Sequence, residues 1–134
     1  MRPRHAAILV GVAAMILAPF HAAAAELTKD SLKTVLKNVT EKKAVLVDVR
    51  EKREWDDGHV AGAVFLPLSA LKRGVDAEAL AKRLPKDKVI YTHCVVGKRA
   101  VTAGNILEEF DYEVRPLKPG YKELLKAGFK KAKN

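Results

Sequence analysis

A second cysteine is missing from this sequence: Cys94 is the only one in 134 residues. A lone thiol makes no internal disulfide, completes no Cys-x-x-Cys redox pair and builds no cysteine-rich zinc site. It is either an inert core residue or a reactive group with a task. Aromatic residues are scarce too, at 6% with a single tryptophan, Trp55. The lysines are not interleaved with aromatics, which counts against nucleic acid as a partner. No Gly-, Pro- or Ser-rich linker and no internal repeat divides the chain, so it reads as one domain long enough to bury a core. Acidic residues are the minority, 16 against 25 basic ones, giving a net charge of +9. That excess attracts small anions and acidic proteins, although most of it belongs to solvated helix faces.

The first apolar run stands apart from the rest. Arg2 and Arg4 precede it, residues 6–20 carry it, and Ala23-Ala24-Ala25 end it with small side chains. This is the order of a secretory signal, which makes residues 1–25 a cleaved signal peptide and 26–134 the functional domain. Export to a bacterial periplasm is the expectation, with no membrane contact after cleavage. The alternative is an uncleaved N-terminal membrane anchor, but Pro19 and His21 shorten the apolar core. No cysteine lies beside the cleavage site to be acylated.

The remainder alternates between helical and strand patterns. Thr28 is a plausible N-cap, with Leu27 stapled to Leu32, for a helix whose apolar face is Leu32, Val35, Leu36 and Val39. Residues 44–49 form a near-continuous apolar run, the mark of a parallel strand covered on both faces. Further strands are expected at 63–66, 88–92 and 113–117. Helices are expected at 76–84, from Ala100 to Phe110 and at 121–127, with Gly104 permitting close helix–sheet packing and residues 130–134 frayed. Such alternation indicates an α/β fold with a doubly wound sheet and helices on both faces.

The chemistry concentrates at Cys94. A Val-, Ile- and Tyr-rich strand precedes it, and Ala100, Ala103, Ile106, Leu107 and Phe110 follow at helical spacing. The thiol therefore sits on a strand-to-helix turn, where unpaired N–H groups and the helix dipole favour an anion. Lys98 and Arg99 add two positive charges, so the thiol there should carry appreciable thiolate at neutral pH. A nucleophile is the reading that follows; an inert core thiol would suit a strand interior better. Asp48 interrupts its strand at the carboxyl end, the edge where open α/β sheets bind ligands. It serves either as an acceptor for loop N–H groups or, less simply, in proton transfer. Arg50 reads as an ion-pair partner and His59 as a structural hydrogen bonder.

Several stretches in order resemble a single-domain rhodanese, a member of the sulfurtransferase family. They are Asp48-Val49-Arg50-Glu51, the segment Glu54-Trp55-Asp56-Asp57-Gly58-His59-Val60-Ala61-Gly62-Ala63 followed by Leu66-Pro67-Leu68, the loop Cys94-Val95-Val96-Gly97-Lys98-Arg99, and residues 117–128. Ala61 stands where the family usually has proline, and Pro119-Gly120-Tyr121 replaces Gly-Gly-aromatic. The resemblance covers residues 27–129 and implies an open, mainly parallel five-stranded sheet. It implies a Cys94 persulfide formed from a small anionic donor such as thiosulfate, cradled by the N–H groups of Val95, Val96, Gly97, Lys98 and Arg99. Cyanide or a thiol then accepts the sulfur. No metal and no organic cofactor is implied. Lys98 would attract the donor; Arg99 would bind its oxyanion or brace the loop against a carboxylate such as Asp48. Asp48 and Arg50 support the site. Related phosphatases and arsenate reductases carry five residues between Cys and Arg; here there are four, which disfavours a tetrahedral oxyanion. A persulfide carrier serving a protein partner, without turnover of thiosulfate, is the alternative.

Overall fold

The computed structural model describes residues 24–133, so most of the expected signal peptide, residues 1–23, lies outside the described residues. The chain runs α1 (Leu32–Thr40), β1 (Ala44–Asp48), α2 (Lys52–Asp56), β2 (Val64–Phe65), α3 (Leu68–Arg73), α4 (Ala77–Arg83), β3 (Val89–His93), α5 (Lys98–Glu108), β4 (Val114–Pro116) and α6 (Tyr121–Lys126). The four strands form one parallel sheet in the order β2-β1-β3-β4. Each central strand is apolar on both faces because each face is covered. Val35, Ala44, Leu46, Tyr91, Leu117 and Leu124 pack on the α1/α6 side. On the other side, Val47, Ile90, Leu71, Leu80, Ala103 and Leu107 pack under α3, α4 and α5. Each such Leu, Ile or Val contributes roughly 1.5–3 kcal/mol by leaving water, so the two layers hold β1 and β3 rigidly in the middle.

Register sets the site. Ala44 pairs with Val89 and Asp48 with His93, so β1 and β3 end level. The chain leaves β3 through Cys94 and enters α5 at Lys98, while β1 leaves through Val49 and Arg50. Both exits lie on the carboxyl edge of the sheet.

The structure departs from the sequence expectation in four places. Four strands form among the described residues, not five. Outside β4 the N-terminal segment makes one backbone bond, Thr28 N–H to the Pro116 carbonyl at 2.7 Å. Proline has no N–H to return, so this edge cannot extend a ladder. Helix α1 is capped by Ser31, whose hydroxyl accepts from Thr34 N–H at 3.2 Å, and not by Thr28. Helix α3 was not anticipated; Pro67 starts it and Leu68 and Leu71 bury its short inner face. Finally, residues 130–132 are not frayed. Ala61 N–H donates to the Lys130 carbonyl (2.8 Å) and Ala132 N–H to the His59 carbonyl (2.9 Å), with Val60 and Lys131 forming an antiparallel bridge. Gly104 does sit where a side chain would crowd Pro116, Ala25 and Val114.

The paired tail has a measurable consequence. Truncation after Phe129 removes two backbone hydrogen bonds, each contributing about 0.5–1.5 kcal/mol. Urea unfolding followed by Trp55 fluorescence should show a loss of about 1–3 kcal/mol; no change would mean that the tail carries no load.

Candidate active site

Cys94 follows β3 directly and is only 1% exposed. Its Sγ accepts a hydrogen bond from Gly97 N–H at 3.2 Å, within the sulfur range. Gly97 is the N-cap of α5 and takes φ +98°, the left-handed region that favours glycine. The tight turn this allows folds the loop back so that the helix start faces the sulfur. A Cβ at Gly97 would press on Leu27 and on the backbone of Leu117 and Lys118. Gly120 is under a stronger constraint: a Cβ there would lie 2.6 Å from the Val95 carbonyl oxygen and 3.0 Å from that of Cys94. The segment before α6 thus supports the Cys94 loop by backbone contact.

Arg99 braces the loop, and its partner is not the anticipated Asp48. Its guanidinium makes two bonds to Glu54, Nη1 to Oε2 at 2.7 Å and Nη2 to Oε1 at 2.8 Å. Glu54 Oε2 also accepts from Glu51 N–H at 2.9 Å, tying α5 to the start of α2. The Arg99 hydrogen bond holds the Glu54 carboxyl down to about 2. Arg99 is correspondingly held charged, first by Glu54 and to a lesser degree by the Cys94 charge. Lys98, exposed at the first turn of α5, forms no ion pair among the described residues.

Asp48 and Arg50 lie in a sealed layer on the other side of the sheet edge. Asp48 is fully buried; its Oδ1 accepts from Arg50 N–H (3.0 Å), and its carboxylate takes Arg50 Nε and Nη2 at 2.8–3.1 Å. Arg50 Nη2 also donates to the Gly58 carbonyl at 2.8 Å, and its guanidinium lies 4.9 Å from the Tyr121 ring centre. No proton-transfer geometry toward Cys94 arises from this arrangement. His59 Nδ1 donates to the Trp55 carbonyl (3.0 Å), and its ring stacks on the indole with centroids 3.6 Å apart.

Sequence reading passed over His93, although period-two alternation and the level strand ends put it beside Asp48. His93 is fully buried, both ring nitrogens lack a hydrogen-bond partner, and Nε2 is 3.6 Å from Asp48 Oδ2, too long for a bond. Burial pushes its affinity for a proton below the ordinary histidine value of 6.5, and the Arg50 charge adds to this against the pull of Asp48. Glu54 and Gly120 stand in the stretches that carry the resemblance, but the sequence assigns neither its role here: both act on the loop across long stretches of chain.

A shallow groove of about 360 Å³ adjoins the loop, lined by Val95, Val96, Lys118, Pro119, Gly120 and Glu123. A larger cavity of about 480 Å³ lies at the opposite end of β1, among Leu36, Val39, Val60 and Phe129, remote from Cys94.

Two measurements follow from this geometry. Gly120→Ala should keep the fold by circular dichroism yet slow alkylation of Cys94 or sulfur loading at least tenfold, because backbone carbonyls cannot swing aside as a side chain would. The second concerns pH. Folded His93 releases its proton below 6.5 whereas the unfolded chain binds one there, so stability is complete above pH 6.5 and falls as pH drops below it. One extra proton bound on unfolding sets a limiting slope of about 1.4 kcal/mol per pH unit. Glu54 acts lower: its share is present above 4.5 and is lost as pH falls toward about 2. Urea midpoints should fall as pH drops below 6.5 in the parent chain. That fall should vanish in His93→Gln, while the decline below pH 4.5 persists.

The family model of the Rhodanese-like domain matches residues 31–127. The uncharacterized protein YqhL of Bacillus subtilis is 34% identical over 97 residues, covering 66% of this chain and 72% of its own. A probable adenylyltransferase/sulfurtransferase, MoeZ of Mycobacterium tuberculosis, is 40% identical over 62 residues; the match covers 46% of this chain and only 15% of MoeZ. Among solved structures, the human single-domain sulfurtransferase TSTD1 superposes with a TM-score of 0.63 at 24% identity, covering 78% of this chain and 97% of its own. At that identity the likeness shows the fold alone. The matched span contains the whole Cys94 loop, the Asp48 strand end and the Gly120 support, and on that footing the chain belongs to the rhodanese-like family.

Proposed function

We propose that this protein is a sulfurtransferase that carries a sulfane sulfur on Cys94. The observation that carries the reading is the loop itself: a cysteine thiol at the carboxyl end of β3, receiving Gly97 N–H and closed five residues later by a braced arginine. In the first half-reaction the Cys94 thiolate attacks the outer sulfur of a donor such as thiosulfate. The Cys94–S bond forms, the donor's S–S bond breaks, and sulfite leaves with the electron pair. In the second, a thiophilic acceptor attacks the outer sulfur of the persulfide and Cys94 leaves as thiolate. Oxidation states balance within each step, and the ping-pong scheme uses the thiol alone as covalent carrier.

Each neighbouring group has a part in this scheme. Gly97 N–H, at the start of α5, donates to a sulfur that bears negative charge both as thiolate and as persulfide. Lys98, free of ion pairing among the described residues, draws in an anionic donor. Arg99, tied to Glu54, keeps the loop closed. The rhodanese-like family of the chain and the partial match to MoeZ, a probable adenylyltransferase/sulfurtransferase, support this reading. Export of the chain rests on the composition of residues 1–25, and the mass of the chain recovered from a periplasmic fraction tests it directly.

Intact mass before and after thiosulfate decides the covalent step. The expected result is a gain of one sulfur, about 32 Da, removed by cyanide and absent in Cys94→Ser. No gain with thiosulfate, polysulfide or 3-mercaptopyruvate would overturn the assignment.

A further inference from the structure

Three large apolar side chains are exposed among the described residues: Leu27 (41%), Val95 (53%) and Val96 (63%). All three belong to the mouth of the Cys94 loop. Val95 and Val96 are in it, and Leu27 packs over Gly97, where it would crowd any added Cβ at 2.9 Å. The groove of about 360 Å³ continues the same surface past Pro119 and Gly120. A small inorganic anion or cyanide makes no use of such a rim, because neither has apolar surface to bury. Contiguous apolar surface beside a reactive group marks a contact with another molecule.

Charge narrows the choice of partner. Lys98 follows Gly97 directly and is exposed, and Lys118 lines the groove, its backbone close to Gly97. The one carboxylate lining the groove, Glu123, is engaged by Gly120 N–H at 3.2 Å. The groove thus carries one cation without an ion-pair partner among the described residues, Lys118, with exposed Lys98 next to Gly97 in the chain, which as a whole has an excess of basic residues. Complementarity asks for a surface that is apolar at its centre and acidic at its edges.

We infer that the sulfur acceptor is a cysteine in an exposed protein segment, with small apolar residues beside the cysteine and acidic residues outside them, docked on Leu27, Val95, Val96 and Lys118. This rests on Cys94 being a persulfide carrier. The acceptor enters as thiolate and attacks the outer sulfur of the Cys94–S–SH group. A new S–S bond forms on the acceptor, the bond to Cys94 Sγ breaks, and Cys94 departs as thiolate with that electron pair; the terminal proton stays on the transferred sulfur. Cys94 is recessed, so the acceptor cysteine must project from a loop or terminus.

Two synthetic peptides serve as probes, one with the core Asp-Val-Cys-Val-Glu and one with Lys-Ser-Cys-Ser-Lys, beside free cysteine and cyanide. With the full chain loaded by thiosulfate or polysulfide, peptide persulfide is read by mass. Transfer to the acidic apolar peptide should exceed that to free cysteine and to the basic peptide at least tenfold. Lys118→Glu and Leu27→Ser should each cut that transfer fivefold or more, with transfer to cyanide changed less than twofold. Equal rates for both peptides and free cysteine, or an advantage untouched by both variants, would overturn the inference. Equal transfer to benzyl mercaptan and the acidic peptide would do so too, leaving a small organic thiol as the occupant. Should no persulfide form, the carrier reading fails separately. Anisotropy with a labelled Asp-Val-Ser-Val-Glu peptide then decides the surface. Saturable binding that Lys118→Glu weakens fivefold supports it, and no saturation by about 1 mM, the weak end of specific association, removes it.

Discussion

The pairing of β1 with β3 in register, Ala44 opposite Val89 through Asp48 opposite His93, is the constraint on which the rest of the molecule depends. It makes two strands end level, so two chain exits open on the same edge. Alternation then divides their last residues between the faces. Asp48 and His93 fall on one side with Arg50 and Tyr121, whereas the chain turns beyond His93 to present Cys94 to the start of α5. A slip of one residue would reverse every side chain in the strand. It would bury Thr92 and Ile90 against the wrong helices, which is why two apolar layers hold the register so firmly.

Charge around the site is divided just as strictly. Arg50 is spent on Asp48 and on the Gly58 carbonyl, deep in the sealed layer. A buried pair of this kind adds little net stability over apolar residues, yet removal of one member strands the other in a medium that cannot solvate it. Arg99 is spent on Glu54, which also caps α2. His93 lies buried beside Asp48, its affinity for a proton lowered by burial. Of the two arginines, Arg99 braces the loop and Arg50 closes the layer beside it, and Lys98 is left exposed at the start of α5.

Much of this was legible in the sequence where the cause is local. The apolar run through Val45, Leu46 and Val47 announced a strand buried on both sides, and the spacing of Ala100, Ala103 and Leu107 announced the helix after Cys94. The strand-to-helix turn around the only cysteine marked the site. What stayed hidden depends on contacts across the chain. Arg99 and Glu54 are 45 positions apart, and nothing near either residue singles out the other. The need for Gly120 comes from carbonyls of Cys94 and Val95, a backbone approach with no pattern of its own. Helix α3 is too short to show periodicity. The fifth strand failed for a reason visible in sequence, Pro116, but only knowledge of which edge that residue faces gives the proline its meaning.

The position of Cys94 explains how one thiol can be both protected and reactive. At 1% exposure it is shielded from bulk oxidants and from chance collision with other thiols. Yet the loop that leaves it begins with Val95 and Val96, both exposed, and the Val95 backbone lies close against Gly120. Selectivity cannot come from the arginines, since both are engaged in holding the scaffold. It must come from what crosses the mouth: a small anion drawn by Lys98 passes through it, and a larger molecule must match its apolar rim. The same tight loop that shelters the sulfur thus turns its valines outward, and the protection of Cys94 and the character of its entrance are two results of one backbone geometry.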